Sequence, residues 1–410
     1  MTTQRIRRLG IAAAILTLVP ATAANAGGGR NQEVPRLTGR AVMPVETYKP
    51  GPPSGADKVP AGQTEITING IDFPTPSQPV EGFSSVIDGR RSGEYLAMPD
   101  NGYGSKSGSK DFLIRAYYVV PDFKTKKGGS GIVAVGDWIQ FSDPWEHFPY
   151  ALVRAPLGDR LFTGGDIDPE SLQRDKHGDL WLGDEFGPWI LHFDADGQLV
   201  EAPISMPGGL ISPNNPALPA GATPSVLNSK GIEAMAITPN GKTLIVVMEG
   251  AVVGDAPLSR RVFRYDIRHG EFTRLADYTS DVAVRFLADA QAIDDDTLVV
   301  IERDGGLGVT AVARPVYEVD LAEFGGVTTK TLVVELAEVP DPDLISLPEI
   351  HPGDIGLGNP FQVTCESIES VHVLDKRHLM LTCDNNFPNK GRNPNLADDT
   401  EMIVVEVAKL

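Results

Sequence analysis

From Glu65 onward the chain repeats one local pattern: short apolar runs, rich in β-branched residues, cut by turn signals. Leu244–Met248, Leu298–Ile301, Leu332–Leu336 and Met402–Val407 have the length and composition of strands. Asp88-Gly89, His177-Gly178-Asp179, Asp196-Gly197, Asn240-Gly241 and His269-Gly270 mark reversals between such runs. Trp189–Phe193 and Val262–Ile267 read as further strands behind two of the hairpins. No stretch holds a long helical period, so the pattern predicts an all-β protein.

The runs themselves recur as a degenerate repeat. One unit reads Val80-Glu81-Gly82-Phe83, a turn at Asp88-Gly89, then a strand ending at Asp100-Asn101. The next reads Pro169-Glu170-Ser171-Leu172, a turn, Leu180–Gly183 and Asp184-Glu185. A third has Ile232-Glu233-Ala234-Met235, Asn240-Gly241, Leu244–Met248 and Glu249. A fourth has Ala290-Gln291-Ala292-Ile293, Asp294–Asp296, Leu298–Ile301 and Glu302. The last has Ile368-Glu369-Ser370-Val371, Asp375–Arg377, His378–Thr382 and Asp384-Asn385. Repeats of this size, each offering about four strands, predict a β-propeller; six blades are expected. Equivalent positions of successive blades face one axis, so Glu81, Glu170, Glu233 and Glu369 would converge, at a cost that a cation removes. The alternative is that each glutamate caps a turn in its own unit.

Composition changes this picture mainly at the N-terminus. Arg5, Arg7 and Arg8 precede an apolar stretch over residues 9–19, and Ala24-Asn25-Ala26 offers a small-x-small cleavage site. This is the pattern of a secretory leader over 1–26 and predicts an exported chain, periplasmic or secreted. A Gly- and Pro-rich extended arm over 27–62, ending in a strand that closes the fold, and a propeller domain over 63–410 would follow. No later segment is apolar enough for a transmembrane helix. The net charge of −19 becomes −22 when the leader's three arginines leave, which disfavours nucleic acid as a partner and favours divalent cations. Cys365 and Cys383 are the two cysteines. An oxidising compartment allows a disulfide, but simple hairpin register does not set them opposite each other, so the pairing stays open.

Gly165–Leu172 followed by Gly178–Pro188 resembles a signature of the phytase-like family of exported bacterial proteins, described as "esterase-like activity of phytase". Lys230–Ala236 with Pro239–Leu244 is similar to its second signature, and Val80–Gly102 to its opening unit. The resemblance runs from about Phe73 to Val407. It departs at Gln291, where other units carry Glu, and at Lys230, where an arginine is expected. The resemblance implies a β-propeller, a calcium requirement and a small-molecule ester or phosphoester substrate.

The sequence holds neither a Gly-x-Ser-x-Gly elbow nor a phosphate-binding P-loop. Ser171 and Ser370 lack an adjacent base and read as turn hydrogen bonders. Metal-assisted hydrolysis remains. Glu81, Glu170, Glu233 and Glu369, with Asp100, Asp184 and Asp384, are hard oxygen ligands suited to Ca²⁺ or Mg²⁺. Glu170, Glu233 and Asp184 are the expected catalytic residues; Lys230, Arg303 and Arg115 are the expected substrate contacts. Two other readings compete: a non-catalytic binding propeller with structural calcium, and a lactonase-like propeller enzyme.

Overall fold

The computed structural model describes residues 35–282 and 285–410; the leader expected over 1–26 lies outside them. The chain is all-β. Its described helices are three-residue 3₁₀ turns such as Ala56–Lys58, and among the described residues no helix is long and apolar enough to cross a membrane.

Strands assemble into five four-stranded units. Unit I comprises Ser85–Asp88, Tyr95–Met98, Arg115–Asp122 and Ile132–Gln140. Unit II comprises Pro169–Arg174, Leu180–Asp184, Trp189–Phe193 and Ile204–Ser205. Unit III comprises Ile232–Ile237, Thr243–Met248, Val262–Asp266 and Glu271–Arg274. Unit IV comprises Phe286–Ala292, Thr297–Arg303, Pro315–Asp320 and Thr329–Glu335. Unit V comprises Ser367–Asp375, His378–Asp384, Thr400–Glu406 and, from the other end of the chain, Arg36–Met43. The first strands of successive units touch in order, and unit V touches unit I, so the ring closes.

Each interface between neighbouring units has its own apolar core. Leu96 and Ile114 meet Leu172 and Leu182 between I and II; Trp181 and Ile190 meet Met235 and Val246 between II and III. Ala234 and Ile245 meet Leu298 and Val300 between III and IV; Val299 and Val316 meet Val371 and Leu381 between IV and V. Val86 and Ala97 meet Met380 and Met402 between V and I. Burial of these strands on both faces explains the near-continuous apolar runs. Inner strands of adjacent units share no backbone ladder, so side chains join them. Ser85 Oγ accepts from Leu172 N at 2.9 Å, Gln173 Nε2 donates to Met235 O at 2.7 Å, and Asp289 Oδ2 accepts from Val371 N at 2.9 Å.

This propeller-like ring has five units where six were expected. The five sequence repeats are the whole ring, because Met402–Val407 begins no unit of its own and falls in the third strand of unit V. The segment expected as an extended arm supplies the strand that closes the fold. Arg36–Met43 pairs antiparallel with Thr400–Glu406, from Arg36↔Glu406 to Met43↔Thr400, and Val42 bridges to Ile132 of unit I. Cys365 and Cys383 form a disulfide. Cys365 lies two residues before its strand begins, in the incoming loop, and not on the hairpin.

Candidate metal centre

The site begins with residues that fall out of register. Pairing of first and second strands slips between Pro169 and Ser171, Ile232 and Ala234, Leu287 and Asp289, and Ile368 and Ser370. A bulge of this kind leaves one residue outside the ladder and re-aims its side chain. The bulged residues are Glu170, Glu233, Ala288 and Glu369. In unit I the same place, just before the Ser85↔Met98 pair, belongs to Ser84. A second ring forms where each second strand ends. Asp100, Glu185, Glu249, Arg303 and Asp384 stand two residues past the partners of Ser85, Ser171, Ala234, Asp289 and Ser370.

These rings line a central cavity of about 150 Å³. With Asp168, its walls hold eight carboxylates and two cations, Lys230 and Arg303. Three overlapping sets each bring one oxygen per residue within 4.8 Å of the others: Asp100–Asp168–Glu170, Glu170–Glu233–Glu369 and Glu185–Glu233–Glu249. Glu170 and Glu233 each belong to two sets. Arg303 Nη2 lies 2.7 Å from Glu369 Oε1, 3.9 Å from Glu233 and 4.0 Å from Glu249. Lys230 Nζ lies 2.8 Å from Glu249 Oε2 and 4.1 Å from the Phe286 ring centre.

Burial, then like charge, pushes Asp168, Glu170, Glu185, Glu233 and Asp384 well above the usual carboxylate range. Asp100 rises to about 6, chiefly by burial. Burial works against the Arg303 charge, but Glu369, Glu233 and Glu249 outweigh it and hold the guanidinium charged. All donors in the cavity walls other than the amides, hydroxyls and two cations are carboxylate oxygens, without histidine or cysteine. That donor set fits Ca²⁺ or Mg²⁺ and not zinc.

Of the residues expected from the sequence, Glu170, Glu233, Glu369, Asp100, Asp384, Lys230 and Arg303 meet here. Three do not line the cavity. Asp184 is buried beneath it, accepting from Asp168 N at 2.8 Å and Gly187 N at 2.6 Å, and burial lifts it to about 7. It fastens the backbone on which Asp168 and Glu185 stand. Arg115 lies in the third strand of unit I, bonded to Gln140 Oε1 at 2.8 Å and Pro50 O at 2.9 Å. Glu81 is buried next to Asp100 and Asp384, with Oε1 lacking a hydrogen-bond partner. It precedes the ring position, which Ser84 fills. Gln291 is likewise not the unit IV equivalent of the glutamates; Ala288 is, and Gln291 accepts from Val373 N to join units IV and V. Ser171 and Ser370 are buried without hydroxyl partners, not turn-bonded.

Sequence reasoning passed over Asp168, Glu185 and Glu249 as site residues. The signal was the second polar cluster of each repeat, but in Asp184-Glu185 only strand register tells which acid faces the axis. Two glycines allow the close packing behind the rings. A Cβ on Gly82 would stand 2.2 Å from Asn385 N, and one on Gly231 2.7 Å from Glu185 Cα.

A family model described as "Phytase-like: Esterase-like activity of phytase" matches residues 78–387. An "Uncharacterized secreted protein" of Arthroderma benhamiae is 27% identical over 124 residues, which is 25% of this chain and 24% of that protein. The match therefore spans about a quarter of that relative. Among solved structures, a Bacteroides fragilis protein assigned as a 6-phosphogluconolactonase is 13% identical, with a TM-score of 0.35 over 91% of this chain and 95% of that one. A luciferin-regenerating enzyme is 11% identical, with a TM-score of 0.35 over 82% and 81%.

Proposed function

Because the chain belongs to the phytase-like family, described by the esterase-like activity of phytase, we propose that its central cavity holds a hard divalent cation of the calcium type and hydrolyses small ester or phosphoester substrates. One observation carries this reading: eight carboxylates against two protein cations in one buried cavity. Such an excess of like charge is costly unless a cation neutralises it. Glu170 and Glu233, shared between adjoining carboxylate sets, would hold the ion. When bound, it supplies Lewis acidity toward a carbonyl or phosphoryl oxygen and a water of lowered pKa.

The chain's own residues divide the remaining work. Arg303 sits on the unit IV side, where Ala288 brings no acid, and meets negative charge developing on the substrate together with Lys230. Burial and neighbouring acids raise Glu185 above the ordinary carboxyl range, which suits it to hold a proton and give it to a leaving oxygen. Asp184 positions Asp168 and Glu185 without touching substrate. Arg115 has no part in this reading. The leader pattern, the Cys365–Cys383 disulfide and the secreted fungal relative support an exported location.

The test is hydrolysis of p-nitrophenyl phosphate, p-nitrophenyl acetate and phytate by the mature protein, with calcium and with chelator, for wild type and Glu170→Gln. Calcium-dependent turnover lost in a folded Glu170→Gln is the expected result. The Arg303–Glu369 pair inside so small a cavity favours a second reading, in which the cation only stabilises a binding propeller. No turnover of any substrate, with chelator lowering only the melting temperature, would establish that reading instead.

A further inference from the structure

A second cleft, of about 570 Å³, opens beside the central cavity and shares Asn101, Gly104, Asp168 and Ser229 with its wall. Its character is opposite. Lys106, Lys110, Asn214 and Asn228 line it, and the shared Asp168 is its one carboxylate among the described residues. Lys106 is half-buried. Its Nζ donates to Asn214 O at 3.0 Å and lies 5.1 Å from the Phe186 ring centre. Lys110 is 3.6 Å from Asp57, whereas Lys106 forms no ion pair among the described residues. Asp184 and Asp166 act on Lys106 only from a distance, and burial outweighs them; partial burial of an ammonium with no carboxylate in contact is costly. An ammonium has three donors, so the bond to Asn214 leaves capacity directed at the cleft. The Phe186 ring flanks the charge on one side, and a cation held in the neighbouring acid-lined cavity would offset that cavity's repulsion of an anion seated here.

We infer that this cleft seats the non-reacting part of the substrate, and that Lys106 binds an anionic group carried there, a carboxylate or a phosphate. The preferred substrates are then esters bearing a second anionic group. This inference rests on the hydrolase reading above and adds the substrate class to it.

The experiment uses calcium-loaded mature protein and two readouts. The first is kcat and KM for p-nitrophenyl butyrate, mono-p-nitrophenyl glutarate and the p-nitrophenyl ester of phosphonoacetate: neutral, carboxylate and phosphonate tails. Wild type should prefer the anionic tails. Lys106→Met should lose about ten-fold of that preference, through KM, as expected for one charge-assisted hydrogen bond; Lys106→Arg should keep most of it. The tail that gains more identifies the anion. The second readout is calorimetric titration with glutarate and with phenylphosphonate, where Lys106→Met should weaken binding by about ten-fold. Equal use of neutral and anionic tails by wild type, or a preference unchanged in Lys106→Met, would overturn the inference. If no ester is turned over, the hydrolase reading fails by itself, and the titration still decides. Anion binding weakened by Lys106→Met upholds the cleft, and unchanged or absent binding overturns it. Melting temperatures of both variants show that they fold.

Discussion

Arg303 occupies the place at which four other units set Asp100, Glu185, Glu249 and Asp384, and Ala288 stands where three units set glutamate. Unit IV therefore contributes positive charge and no ligand. In the metal-free protein this guanidinium is the main internal relief for Glu369 and Glu233, while Lys230 does more for Glu249. Arg303→Gln is accordingly expected to lower metal-free stability by about 3 kcal/mol, as for a buried pair losing one partner, while tightening calcium binding. Denaturation in chelator and calcium titration check the two halves separately. Asp184 makes the contrasting case, because it acts on the backbone and not on the ion. Asp184→Ala removes two acceptors for buried N–H groups, worth roughly 3 kcal/mol together. It should lower the melting temperature while weakening calcium far less than Glu170→Gln does.

Among the elements, the closing strand Arg36–Met43 ties the two ends of the described chain into unit V. On its partner strand Glu401, opposite Val42, lies 2.5 Å from Arg40 and 2.6 Å from Arg392. Burial opposes its charge, but Arg392 and Arg40 overcome that and hold it at about 2, below its ordinary 4.5. A depressed carboxylate stabilises fully above its unfolded pKa and loses that contribution as pH falls through the folded one. Glu401→Gln should thus cost about 3–5 kcal/mol near neutrality, a difference from wild type that shrinks in acid denaturation between pH 4.5 and 2. The strands and hairpins of this ring were legible in sequence: Trp189–Phe193 is a strand as read, and the reversal read at Asp375–Arg377 turns on Lys376-Arg377, between the paired Asp375 and His378. That the N-terminal arm supplies a closing strand was read too, but not which residues form it or what they pair with, because the partner is over three hundred residues away and no local pattern reports that. Bulges were equally silent. A one-residue slip exchanges the faces of a strand, which is why Glu170 and Glu233 were found while Glu185 was passed over for Asp184. It is also why Gln291, a joint between units, passed for a ring member.

For the whole molecule, the acids of the cavity couple stability to both pH and cation. Their folded pKa values are raised, to about 6 for Asp100 and to about 7 for Asp184 beneath them. Between the unfolded values near 4 and these, the folded metal-free protein holds more protons than the unfolded chain, so stability falls as pH rises. Melting in chelator should drop steadily from about pH 4 to pH 7, and calcium should reverse the slope, since deprotonated carboxylates are its ligands. The opposite slope in chelator would show that the acids are relieved by other means. The five-unit ring gives these groups their common axis, and the bulge in an inner strand gives each its aim. The most direct test of this account is calorimetric titration of calcium into metal-stripped mature protein near neutral pH, for wild type, Glu170→Gln and Glu233→Gln. Saturable binding that both variants weaken by about ten-fold or more is the predicted result. No binding to wild type, or binding that neither substitution disturbs, would contradict it.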